Sequence, residues 1–117
     1  MSKVFVIQNQ HKMNRETGEL EPKWDLSSAK EFGELVFLLS PTARPFMSDH
    51  VVNALHEKLR WYAPGDHLLL IGNPALIGFA VAIAAQVNEG HVRVLQWDGK
   101  AKKYISIFAN LSAVQPE

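Results

Sequence analysis

Cysteine is absent from all 117 residues, which excludes disulfides, thiolate catalysis and Cys-ligated zinc or iron–sulfur sites. Charge of one sign is missing as well: twelve basic residues offset twelve acidic ones, so no global field draws the chain to nucleic acid or to anionic lipid. Phosphate-binding glycine patterns are lacking, since Gly72-Asn73-Pro74 belongs to neither a G-x-G-x-x-G fingerprint nor a G-K-[ST] loop. His56-Glu57 opens like a zinc-protease H-E-x-x-H helix, but Arg60 stands where the second histidine is required. His11, His50, His67 and His91 show no ligand spacing with a carboxylate and read as surface or boundary residues. There is no G-x-S-x-G elbow, so no Ser-His-Asp set can be assembled. No catalytic residue, metal or cofactor is expected.

What is present is a broken apolar run, Leu68 to Val87, reading LLLIGNPALIGFAVAIAAQV. Asn73 is an N-cap and Pro74 suits the first position of a helix, so a buried strand feeds a buried helix. That helix covers about 14 residues, or ~21 Å, too short for a ~30 Å hydrocarbon core. No basic cluster flanks the run, and membrane insertion is not expected. Met1-Ser2-Lys3 leads straight into VFVI, too few apolar residues for a signal-peptide core, and a cytoplasmic location follows as the expectation.

At this length the chain is read as one domain, 1–117, with an apolar fraction of 47% that suffices for a core. Residues 1–33 read as strand Lys3 to Gln8, a hairpin turning at Thr17-Gly18 and returning over Glu19 to Trp24, and a short helix opened by a Ser28–Glu31 capping box and stopped by Gly33. Residues 34–97 read as a βαβαβ core: strand Leu35 to Leu39, a helix capped by Ser48 and running to about Tyr62, strand Leu68 to Ile71, helix Pro74 to Val87, and strand His91 to Trp97. Val52, Leu55, Leu59 and Tyr62 form the apolar stripe of the first of these helices. Residues 91–108 form a C-terminal β-hairpin, with Asp98-Gly99 opening its turn and Tyr104 to Phe108 as its return limb. The fold class is therefore α/β, with a mixed, mainly parallel sheet of about five strands and two principal helices.

The second helix is apolar all round. Its small stripe Ala75, Gly78, Ala82 and Ala85 is expected to approach the sheet, leaving Leu76, Ile77, Phe79, Val81 and Ile83 on the other side. That side would need a cover, either the N-terminal hairpin or a second subunit. Leu76, Phe79, Ile83 and Trp61 are thus candidate interface residues, and a homo-oligomer is expected. Trp24 and Trp61 read as core or interface anchors.

Two strand-to-helix loops, Ser40 to Arg44 and Gly72 to Ala75, lie at the carboxyl ends of parallel strands. If strand order reverses between them, they flank the switch point where open α/β sheets bind ligands. Ser40, Thr42, Arg44 and the Asn73 helix start would offer donors to a nucleotide or anion, and Trp97 a stacking face. The plainer reading makes Asn73 a cap and the loop a rigid connection. Lys100, Lys102, Lys103 and Arg93 lie near Trp97 and Tyr104, but lysines at a hairpin tip commonly protect an edge strand, and nucleic acid is not an expected partner.

The segments AKEFGELVFLLSPTARPF and LLLIGNPALIGFAVAIAAQVNEGHVRVLQW resemble those of a group of small uncharacterised bacteriophage and prophage proteins. The resemblance implies origin rather than chemistry. It points to an accessory protein, in the cytoplasm of the host cell, that binds a host or phage macromolecule without catalysis. The alternative from the residues themselves is a nucleotide- or anion-binding protein using the carboxyl edge of the sheet.

Overall fold

Val4, Phe5, Val6 and Ile7 form an unbroken apolar run because both faces of the strand they build are covered. In the computed structural model, which describes residues 2–112, this strand, β1 (Lys3–Gln8), pairs in parallel with β4 (Glu34–Leu39) on one side and β5 (His67–Leu69) on the other. β6 (His91–Asp98) continues parallel beyond β5, and β7 (Lys103–Asn110) ends the sheet antiparallel to β6. The five-stranded order is β4-β1-β5-β6-β7, mixed and mainly parallel as the sequence led us to expect. The N-terminal hairpin also forms, with β2 (His11–Met13) paired to β3 (Leu20–Pro22).

The chain steps from β1 to β4 in one direction, then crosses back over β1 to β5 and β6. Right-handed crossovers on the two legs must lie on opposite faces of the sheet. Accordingly α1 (Ser48–Leu59) and α2 (Pro74–Val87) cover Phe5, Ile7, Leu68 and Val92 on one face. A six-residue 3-10 helix, Ser27–Phe32, covers Val4, Val6, Leu69 and Leu95 on the other. The second cover is far smaller than the first. Among the described residues no helix is long and apolar enough to cross a membrane.

Several local expectations are corrected. On α2 the buried stripe is Leu76, Ala80, Ile83 and Ala84, while Ala75, Gly78 and Ala82 face outward; Leu76 and Ile83 supply the apolar area removed from water, and the two alanines fill the space between them. The hairpin does not cover α2, since β2 is exposed along its length and the outward face of α2 stays open. Ser48 is the first helical residue of α1 rather than its cap, and Met47 holds the cap position without a side-chain bond. The stripe of α1 is Val51, Leu55 and Leu59, with Val52 half-buried. The Ser28–Glu31 box is not made: Asp25 Oδ1 accepts the Ser27 N–H at 2.9 Å, and a 3-10 helix follows. Neither Trp24 nor Trp61 belongs to the core, being 45% and 75% exposed.

Candidate functional site

The strand order does reverse where the sequence placed its crevice, and the space is occupied from within. Gln8, the last residue of β1, ends between the loop after β4 and the loop after β5, only 4% exposed. Its Nε2 donates to the carbonyls of Ala43 at 2.9 Å and Ser40 at 3.2 Å. Its Oε1 accepts the Asn73 N–H at 2.9 Å, while its own N–H donates to Ile71 O at 3.1 Å. One amide side chain thus latches both loops to β1. A lone polar residue closing a buried apolar strand was the available sign.

Four of the five candidate ligand residues lie on the two loops that flank Gln8, and Trp97 lies apart. Ser40 and Thr42 bind one another, Oγ to Oγ1 at 2.9 Å, within the turn that the Ala43 N–H closes on Ser40 O. Asn73 caps α2 as expected, its Oδ1 accepting the Ala75 N–H at 2.9 Å, and its own N–H is held by Gln8. Arg44 is exposed and shares a cleft of about 330 Å³ beside α1 with Ser40 and Thr42, and with Met47, His50 and Lys58. Trp97 stands on the opposite face of the sheet, on the same side of β6 as Leu95. The structure therefore brings Ser40, Thr42 and Arg44 to one cleft, ties Ser40 to Asn73 through Gln8, and leaves Trp97 elsewhere.

Trp97 instead walls a cavity of about 420 Å³ on the face that the short 3-10 helix covers incompletely. Buried Leu69 and Leu95 make its floor, Trp24 and Tyr104 complete its walls, and Asp25 and Gln96 sit at its rim. The β6–β7 register places Trp97 opposite Tyr104, with ring centroids 5.0 Å apart at 68°, an edge-on pairing. Asp98 Oδ1 fixes the hairpin tip by accepting the N–H groups of Lys100 and Ala101. Tyr104 Oη donates to Asp25 O at 3.2 Å, and burial pushes its phenol above the ordinary range, with the Asp25 charge adding to the shift. Trp24 Nε1 donates to Gln10 Oε1 at 3.1 Å, tying that wall to the base of the hairpin. Hydrogen bonds from Ser27 hold the Asp25 carboxyl below its usual value, so the rim carries one anionic group.

A second polar pair lies further along the same face. His67 Nε2 and Ser106 Oγ are 3.0 Å apart, but the imidazole is buried, with Nδ1 lacking any partner. It packs edge-on against Phe32 at 5.3 Å. Burial lowers its pKa, and the Arg93 charge lowers it further. Asp66 cannot orient the ring, because its carboxylate oxygens accept the Lys3 and Ala63 N–H groups. The pair links β5 to β7 and lacks the third group a nucleophile and base require. His67 is thus a core residue, not a surface or boundary one. Among the described residues no group of His, Asp and Glu could hold a metal ion.

Of the candidate interface residues, Leu76 and Ile83 are buried against the sheet of this same chain, which removes them from any partner surface. Phe79 is half-buried. Trp61 is exposed, with the Arg60 guanidinium 5.6 Å from its ring centroid.

The family model described as Phage Pam3 gp32-like protein matches residues 2–111. No curated protein and no solved structure matches the chain. The family match runs from β1 through the end of β7 and takes in both the Gln8 latch and the aromatic cavity; the chain belongs to the phage Pam3 gp32-like family.

Proposed function

We propose that this chain is a phage accessory protein that acts by binding, in the cytoplasm of the infected host, and that it receives an apolar or aromatic side chain of a host or phage protein in the cavity between Trp24, Trp97 and Tyr104. One observation carries the reading. The open concavity has an aliphatic floor and aromatic walls, with the Asp25 carboxylate as its one anionic group, whereas the crevice of the sheet is filled by Gln8. Large, stiff aromatic groups around a desolvated pocket are the side chains from which interface hot spots are built.

A benzophenone amino acid at Asp25, on the rim, tests this in infected cells. The expected result is a crosslink to a discrete partner that is lost on Trp97→Ala, with the melting temperature changed little. A crosslink that survives both Trp97→Ala and Trp24→Ala overturns the cavity as the binding site.

A further inference from the structure

The two edges of the sheet differ in how they are finished. At β4 the Lys58 ammonium reaches over to the exposed edge and donates to Phe37 O at 3.1 Å, placing a charge where another strand would dock. At β7 the lysines gather at the hairpin end, Lys103 being the first residue of the strand, and among the described residues no charged side chain is bonded to the rest of the edge. Among the described residues no strand lies outside β7, and from Tyr104 to Ser112 the sequence YISIFANLS contains no charge and no proline. Alternate residues of an edge strand turn their N–H and C=O groups outward, so an eight-residue edge offers a full set of backbone donors and acceptors. Apolar side chains stand exposed on both faces beside it: Ile105 at 38% and Ile107 at 39% toward the α1–α2 face, Phe108 at 56% toward the other.

We infer that the outer edge of β7 pairs antiparallel with β7 of a second copy about a two-fold axis, joining two five-stranded sheets into one. Backbone groups in this arrangement are complemented only by another strand, and charge selects the copy and the direction. Lys100, Lys102 and Lys103 all sit at one end of β7. Parallel pairing would set these lysines beside their own equivalents. Antiparallel pairing carries them to the partner's other end, where Leu111 N bonds Gly90 O and exposed Glu89 precedes that glycine. Each copy's lysine cluster then meets the other's acidic residue, and Ile107 lies near the axis, where it packs against its equivalent. Closed two-fold pairing uses up both free edges, which ends assembly at a dimer.

Sedimentation velocity on the full chain at ~100 μM is expected to give twice the 13.1 kDa chain mass. Ile107→Lys should raise the dimer dissociation constant about a hundredfold or more, the scale of burying an unpaired charge. Phe37→Lys, on the other edge, should leave the mass unchanged. Since the chain has no cysteine of its own, Ile107→Cys supplies an independent readout: mild oxidation should link two chains, while Phe37→Cys should not. This second readout decides the matter if Ile107→Lys fails to fold. A wild-type monomer, a dimer that Ile107→Lys leaves intact, or crosslinking through Phe37→Cys in place of Ile107→Cys overturns the pairing.

Discussion

Gln8 and Gly72 meet so closely that a Cβ added to the glycine would stand 2.6 Å from the glutamine's Cβ. Gly72 also adopts φ of 127°, a backbone conformation that side chains rarely tolerate. The close approach lets the Gln8 amide reach Asn73 on one loop and Ala43 on the other. Gly72→Ala should therefore destabilise the fold by roughly 1–3 kcal/mol through strain and contact together. Gln8→Ala should cost a similar ~1–3 kcal/mol by leaving buried backbone groups unpaired. Because the two residues touch, the double variant should lose less than the sum. Urea denaturation of the three variants checks this, and strict additivity would break the proposed coupling.

Gly78 behaves in the opposite way. Nothing lies within 4 Å of a Cβ built there, and its backbone is helical, so Gly78→Ala should stabilise by about 0.4–1 kcal/mol through lower unfolded-state entropy. Ala80→Leu, on the buried stripe, should destabilise by ~1–3 kcal/mol by overpacking. Thermal melts of the pair report which side of α2 faces the sheet. A fall in melting temperature for Gly78→Ala would return the small stripe to the interior.

Much of the architecture was legible because its signals are local. Asn73-Pro74 starts α2, Asp98-Gly99 begins the tight end of β6–β7, and the two crossovers follow from alternating strand and helix patterns. Which face of α2 is buried was not legible: a helix apolar at nearly every position has no polar side to orient it, and the choice of face is made by the sheet beneath. The Gln8 latch was hidden for another reason. Its partners Ala43 and Asn73 are 35 and 65 residues away along the chain, and one amide carries no spacing pattern. The aromatic cavity likewise joins Trp24 to Trp97 across the β1–β4 crossover, whose position depends on a strand order that the chain does not spell out.

His67 makes stability depend on pH. Its folded pKa lies below the ordinary value of 6.5 because burial disfavours the cation, so the unfolded chain takes up the proton first. Stability from this residue is complete above about pH 6.5 and declines as pH falls from there toward the folded pKa. His67→Gln should flatten that decline. Urea midpoints between pH 5 and 7 provide the comparison, and an unchanged slope would assign the acid sensitivity to other groups.

Both tyrosines of the chain titrate high. Burial pushes Tyr62 and Tyr104 above the usual value of 10.0, so phenolate absorbance should develop only at a pH above that of a free tyrosine. The sign for stability follows: the unfolded chain loses its protons first, and stability falls as pH rises through 10. Tyr104→Phe should cost about 0.5–1.5 kcal/mol through the lost bond to Asp25 O. An ultraviolet titration with the midpoint of an exposed phenol would contradict the burial of both rings.

The central position of β1 sets an order of events during synthesis. β1 leaves the ribosome before either neighbour exists, and its β5 partner begins at His67, opposite Val4. At ~5–20 residues per second the nascent chain waits on the order of several seconds between the two. Throughout that interval Val4 to Ile7 is an apolar strand with at least one side unpaired, the kind of segment that nascent-chain chaperones shield. The residues most completely buried at the end are those exposed longest at the beginning.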